Sequence, residues 1–213
     1  MKPKWKHGTE KMEIEIATEN IKLVPKRKNV RTLPFTIKEK SGQQAFVTTI
    51  KFLSSINHFI KKGYELEAKK KFSRTHNLAR SYNNPKALKG KYPNLEIDYS
   101  KVILSVGDMP QARFMSAGLH REGILFKWDT ELPEPECVPG DQVMLMAYFP
   151  EKEYGIYTLN GEKRHKGEHL LHLPASILVA EVHTYISFIS ADHRSITNST
   201  YLGQFTWHLP NTL

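Results

Sequence analysis

The sequence predicts an α+β protein, with a short β ribbon and a basic helical hairpin first and a set of antiparallel strands after them. Three observations carry this. Charge is uneven: residues 1–91 hold 22 Lys and Arg against 7 Asp and Glu, whereas residues 92–213 hold 9 against 15. Between Phe46 and Ile60 the apolar residues step by four and three, the period of a helix. Beyond Gly90 they come in short β-branched and aromatic runs punctuated by Pro, Gly and Asn. The step in charge makes 1–91 and 92–213 the two expected domains.

Composition bounds the rest. A chain of 213 residues with 39% hydrophobic content, three Trp and nine Tyr can bury a core. No apolar run approaches the ~20 residues of a membrane helix, so no membrane insertion is expected. Met1 to Gly8 is basic with no apolar stretch behind it, so the expectation is a protein without a classical secretion signal, cytoplasmic or of unknown compartment. Cys137 is the single cysteine, which excludes an intrachain disulfide and fits a reducing compartment or indifference to redox. It reads as a loop residue between Pro135 and Pro139.

The ribbon comes first. Met12, Ile14 and Ile16 alternate with Glu13 and Glu15, and Ile21 and Leu23 flank Lys22. Period-two patterning on both sides of Thr18-Glu19-Asn20 predicts a short hairpin or an edge ribbon, with Pro25-Lys26-Arg27-Lys28-Asn29 as a basic connector. Ser41 with Gln44 has the form of a capping box, and Phe46, Ile50, Leu53, Ile56 and Ile60 then make one helical stripe. Gly63 is placed to end that helix in a left-handed cap. A second helix is predicted from Tyr64 to Tyr82, with Ala68, Phe72, Thr75, Ala79 and Tyr82 inward and Asn83-Asn84-Pro85 as its stop.

After the turn-rich Gly90–Asn94 the extended runs are Tyr99–Val106, Ala112–Leu119, Gly123–Trp128, Asp141–Phe149, Tyr154–Leu159 and His169–Leu173. A hairpin closes the set, running from Val182 through Asp192-His193-Arg194 to Tyr201-Leu202. Its first strand carries apolar groups on both parities (Tyr185 and Ile189; Ile186 and Phe188), which predicts a central strand covered on both faces. Asn160-Gly161 is the strongest tight-turn pair. Short strands at near-regular spacing without helices between them predict a β-sandwich of the immunoglobulin or fibronectin-III type.

Several of these segments also resemble a known bacterial family, domain of unknown function 6266. The resemblance rests on Tyr92-Pro93-Asn94, Ile97 to Val102, Ser105 to Pro110, Phe126 to Asp129, Phe149 to Lys152, Leu173 to Ala175, His183 to Asp192 and Asn198 to Gly203. Val30 to Pro34 and Lys51 to Leu53 extend it into the helical half, so it spans roughly 30 to 203. The family's usual Gly-rich opening is replaced by Met1 to Asn29. The resemblance implies the architecture and no chemistry.

Catalytic signatures are missing from the sequence. There is no nucleophile elbow, P-loop, paired cysteine motif or dinucleotide fingerprint. His165-Lys166-Gly167-Glu168-His169 fits H-x-x-E-H, but zinc binding needs both histidines on one helical face. Gly167 interrupts that face, and a strand pattern starts at once, with His172 opposite His169 in parity. Glu131, Glu134 and Glu136 lie in a Pro-interrupted loop. Asn198-Ser199-Thr200 matches a glycosylation acceptor without a secretory context.

No catalytic, cofactor-binding or metal-ligating residue is therefore assigned, and no enzyme activity is expected. The expected function is a binding or structural module that engages a protein partner or assembles with itself. The alternative is non-sequence-specific nucleic-acid association through Lys61, Lys62, Lys69, Lys70, Lys71, Arg74 and Arg80, with His58 and His76 nearby. Such a face could also meet an acidic partner, and no helix-turn-helix or aromatic RNA-binding motif accompanies it.

Overall fold

The computed structural model describes residues 5–17, 20–31, 33–131 and 138–209. Cys137, Glu134 and Glu136 lie outside the described residues. The chain divides into two compact units, Met1–Gly42 and Gln43–Leu213. Residue 91, where the composition changes, falls inside the second.

The first unit holds an antiparallel ribbon of β1 (Trp5–Ala17) and β2 (Asn20–Arg31). Ile14 pairs with Leu23 and Ile16 with Ile21, as the alternation predicted. The ribbon is longer than predicted. The basic run 25–29 belongs to β2, and a bulge between Thr9 and Met12 takes up the change of register. Helix α1 (Ile37–Ser55) starts at Thr36 rather than at Ser41. Thr36 Oγ1 accepts from the Glu39 N–H at 3.3 Å while a Glu39 carboxylate oxygen accepts from the Thr36 N–H at 2.9 Å. That reciprocal pair is a capping box five residues earlier than the predicted one.

In the second unit the two predicted helices are broken into shorter pieces. Helix α1 stops at Ser55, and α2 (Asn57–Gly63), α3 (Glu65–Lys70) and α4 (Thr75–Asn83) follow. Ile56 leaves helical geometry at φ −123° and ψ 32°, which turns the buried stripe so that Phe59, Ile60 and Tyr64 also face inward. Gly63 is no left-handed cap: a Cβ there would lie 2.1 Å from the Leu104 carbonyl oxygen, so the glycine permits close approach of a passing chain. Phe72, predicted inward, is exposed. Leu78 takes a buried place on α4 instead.

A two-residue pair, β3 (Leu88–Lys89) with β4 (Glu96–Ile97), leads to the strands proper. These are β5 (Ser116–His120), β6 (Gly123–Lys127), β7 (Gln142–Phe149), β8 (Tyr154–Thr158), β9 (Glu168–His172), β10 (Val179–Ile189) and β11 (Thr200–His208). One sheet has the order β5-β6-β9 and another the order β11-β10-β7-β8, and every described pairing is antiparallel. The architecture is α+β. Strand β11 runs on to His208, past Tyr201-Leu202, where the predicted hairpin strand ends. Asn160-Gly161 sits in the connection from β8 to β9, which belong to different sheets, so it closes no tight hairpin.

The predicted strand Tyr99–Val106 pairs with nothing as a ladder. Residues 99–101 form a 3-10 turn and 102–106 run extended through the core, with Leu104 fully buried. Side chains satisfy the backbone there. Asn83 accepts from the Ile103 N–H at 2.8 Å and donates back to the Ile103 carbonyl at 2.9 Å, while Ser199 Oγ accepts from the Leu104 N–H at 2.7 Å. Polar side chains thus replace a neighbouring strand.

Strand β10 is central, flanked by β11 and β7, and its two parities serve two cores. Met144, Met146, Tyr148, Tyr185 and Ile189 pack with Phe52, Leu53, Ile56, Phe59 and Ile60 of the helices. Val143, Leu145, Phe149, Val182, Ile186 and Phe188 pack with Ile124, Phe126 and Leu171 of the three-stranded sheet.

Candidate functional site

The helices do not cover their side of the four-stranded sheet completely. Between α1, the segment 95–100 and the ends of β7, β10 and β11 lies a groove of about 780 Å³. Its floor is aromatic. Tyr148 comes from β7 and His183 from β10, and the two are cross-strand partners in the ladder. Tyr201 comes from β11. A bulge between Thr184 and Tyr185, where Gly203 adopts φ +124°, pairs Tyr201 with Tyr185 and turns its hydroxyl to His183. Tyr99 arrives on the 3-10 turn and stacks on the His183 ring at 4.3 Å between centroids. Phe52 of α1 meets the Tyr148 ring edge-on at 4.9 Å.

The polar atoms of this floor are engaged with one another. His183 Nε2 lies 3.0 Å from a Glu181 carboxylate oxygen, and Nδ1 lies 2.9 Å from the Tyr201 hydroxyl. A carboxylate can only accept, so Nε2 carries the proton of the neutral ring and Nδ1 accepts from Tyr201. The Tyr185 hydroxyl donates to the Tyr99 carbonyl at 2.7 Å. At the rim, Lys51 Nζ pairs with Glu153 at 2.5 Å. Burial pushes the His183 imidazolium down, with Glu181 opposing and Lys89 adding to the shift. Burial also raises the Tyr99, Tyr148 and Tyr185 phenols. The Tyr201 phenol is raised by burial first and then by Glu181 and Asp98. Neutral His183 and protonated tyrosines make a hydrogen-bonded aromatic surface.

A Glu–His–Tyr line has the outline of an activated nucleophile, but activation requires a phenol pulled toward the phenolate. Here burial first, and then Glu181 and Asp98, push the Tyr201 phenol the other way. The floor offers the groove its ring faces and the remaining lone pairs of Tyr201 and Glu181.

None of the seven predicted cations lines the groove. They are spread over α2, α3, α4 and the link between the last two. Lys62 Nζ sits 3.4 Å from Glu65 and 3.0 Å from His193 Nδ1; Lys69 pairs with Glu65 at 2.7 Å; Lys70 pairs with Asp108 at 2.5 Å. Lys71 lies 2.7 Å from Glu67 and 2.8 Å from the Tyr82 hydroxyl. The Arg80 guanidinium lies 4.7 Å over the Phe46 ring. His76 Nε2 contacts Asn57 Oδ1 at 2.6 Å, and His58 is exposed. The H-x-x-E-H run is not a helix. His165 lies in a 3-10 turn with Nδ1 toward the Pro139 carbonyl, while His169 is on β9 and accepts from the Glu162 N–H. Among the described residues no group of three or more His, Cys, Asp or Glu could hold a metal ion. No helix of the described residues is long and apolar enough to cross a membrane.

The groove residues carry no sequence motif, yet one signal was present. Glu181, His183 and Tyr185 share the parity of a central strand, so their polar groups had to meet partners on one face. Five of the segments that resemble the family, 51–53, 97–102, 149–152, 183–192 and 198–203, contribute to the lining of this groove. A family of unknown function, DUF6266, matches residues 16–203. The chain belongs to this family. No curated protein and no solved structure matches it.

Proposed function

We propose that this DUF6266 member is a non-enzymatic binding module that holds a segment of a protein partner in the groove between α1 and the four-stranded sheet. The observation that carries the reading is the self-satisfied tyrosine and histidine floor. Tyrosine rings supply contact area with little conformational entropy to lose, which is why they are enriched at protein interfaces. Exposed Lys51 and Glu153 at the rim and half-exposed Glu181 offer both signs of charge for orienting a chain.

We also read the strand-rich part as immunoglobulin- or fibronectin-III-like. The order of the strands supports this: the first, second and fifth of the seven form one sheet, and the seventh, sixth, third and fourth form the other. That is the connectivity of a Greek-key sandwich. The helical segments then act as a cover for one of its sheets. Nucleic-acid association through the 61–80 face stays the second reading, supported by its charge alone.

A photo-crosslinking amino acid placed at Val47, 63% exposed on the groove lip, tests the site in the native cell. The expected result is one defined protein adduct, absent when the same probe stands at Leu119, 52% exposed on β5. Equal adducts from both positions, or adducts to Val47 that survive Tyr148→Ala with His183→Ala, would remove the groove as the binding site.

A further inference from the structure

The end of α3 breaks a rule of helix termination in a place that has no structural need to break it. The Ser73 N–H donates to the Ala68 carbonyl at 3.0 Å and the Phe72 N–H to the Lys69 carbonyl at 3.5 Å. These two bonds are a Schellman motif, and Phe72 occupies its left-handed position at φ 47°. Glycine is the residue that fits there; a bulky aromatic side chain in that conformation is an outlier that raises the energy of the turn. The ring gains nothing from the fold in return, for Phe72 is 98% exposed. Backbone strain and a solvated aromatic ring are both unfavourable in the isolated molecule, so their coincidence points to a contact outside it.

The chemistry around the ring says what kind of contact. The run Lys69-Lys70-Lys71-Phe72-Ser73-Arg74 puts four cations within three residues of it. Over 61–80 there are seven cations and two carboxylates, Glu65 and Glu67, and Asp108 adds one more anion from across. The face therefore keeps a net positive charge after every ion pair is counted. The Lys69 and Lys70 pairs are exposed on both sides, so those two amines can exchange partners at small cost, while Lys71 is 51% accessible above a largely buried Glu67. We infer that this tip docks on an anionic lipid surface, with the Phe72 ring entering the headgroup–acyl boundary and the lysines and Arg74 on the headgroup phosphates. One inserted ring with a basic collar gives reversible surface contact and needs no spanning segment. A nucleic-acid backbone would account for the cations and leaves the ring unexplained. The inference is independent of the groove, which lies on other elements.

Co-sedimentation of the full chain with vesicles tests it, using phosphatidylcholine mixed with phosphatidylglycerol against phosphatidylcholine alone. Wild type should pellet only with the anionic vesicles, and added salt should release it. Phe72→Gly is the decisive variant, because it suits the left-handed position and deletes the ring. It should melt at the same temperature or higher, yet partition about tenfold more weakly. Lys69→Gln with Lys70→Gln should weaken binding at least as much and flatten the salt dependence. Phe114→Gly removes another exposed ring, at φ 48° and 85% exposed, without the lysine collar, and should bind as wild type does. Wild type staying in the supernatant, or a Phe72→Gly variant that pellets like wild type, would overturn the assignment. So would duplex DNA binding that Phe72→Gly retains in full while no vesicle binding is seen.

Discussion

The two faces of the four-stranded sheet are finished in different ways. Toward the three-stranded sheet the core is aliphatic and aromatic, with Val143, Leu145, Ile186, Phe188 and Trp207 all sealed. A cation is buried completely there: Arg164 lies 4.8 Å over the Phe188 ring and donates to the Pro110 carbonyl. Toward the helices the same strands present methionines, tyrosines and His183, and the cover ends before β11 is fully roofed. A sheet laid on a sheet meets a period of two with a period of two and closes. Short helical pieces laid on a sheet do not match it everywhere, and the mismatch leaves the groove. The tyrosines and His183 suit that half-wet margin because each joins an apolar ring to a polar tip.

The largest test of this contrast removes one cover altogether. The sequence reads as if a fragment starting near Gly90 should fold alone, since all the strand signals of the predicted sandwich lie beyond that point. Without the helices, Met144, Met146, Tyr148, Tyr185 and Ile189 would lose the apolar partners that bury them. The expected outcome is a fragment without a cooperative urea transition and with strong binding of a hydrophobic dye. A sharp transition with dispersed amide resonances would mean that the helix-side core contributes little.

Next in size is the sealed face. Phe188 is fully buried, meets Trp128 edge-on at 5.5 Å and lies beneath Arg164. Phe188→Ala should lower the unfolding free energy by ~3–5 kcal/mol, because a close-packed site with a buried cation cannot collapse into the void. Urea denaturation measures it, and a loss under ~1 kcal/mol would show a face far looser than its packing implies.

A smaller effect belongs to the helix side. Gly→Ala inside a helix ordinarily adds about 1 kcal/mol of stability. Gly63→Ala should instead cost ~1–3 kcal/mol, the range for overpacking, since its Cβ would meet the Leu104 backbone at 2.1 Å. The Val106 N–H that donates to the Gly63 carbonyl at 3.1 Å would be displaced with it. A stabilised variant would show that the extended segment 102–106 yields easily.

The contrast also explains what could be read in advance. Strands β6 to β11 follow from alternation and β-branched content, and the double parity of Tyr185, Ile186, Phe188 and Ile189 marked β10 as central. The helical side resisted. Gly63 looked like a cap because local sequence cannot show that another chain passes against it. Phe72 looked like core because it falls in phase with Ala68 and Ala79, and the phase is reset by the turn that Phe72 itself makes. Val102 to Leu104 have strand composition, but the backbone partners of Ile103 and Leu104 are the side chains of Asn83 and Ser199. The groove was least legible, for Phe52, Tyr99, Tyr148, His183 and Tyr201 come together only through the tertiary fold.

The smallest expected effect is the dependence of stability on pH, and it separates the two faces by chemistry. His183 is the buried titratable group of the helix-side floor, facing Glu181, Tyr201 and the Tyr99 ring, with Lys89 near enough to disfavour its charge. Burial lowers its folded-state pKa below the unfolded value of about 6.5. The unfolded chain then binds more protons in the window between those two values. Stability should be fully present above the unfolded pKa and fall as pH drops through that window. His76 and His169 are also lowered by burial and contribute slopes of the same sign, so the wild-type curve alone does not isolate His183. The difference between wild type and His183→Gln does, because glutamine is neutral throughout and can still hydrogen-bond Glu181 and Tyr201. Urea unfolding free energies collected from about pH 8 down to about pH 5 should show a shallower decline for the variant. Parallel curves would mean that His183 takes its proton without loss, because Glu181 outweighs the burial. The same slope should persist in Phe188→Ala, whose damage is confined to the face without the histidine.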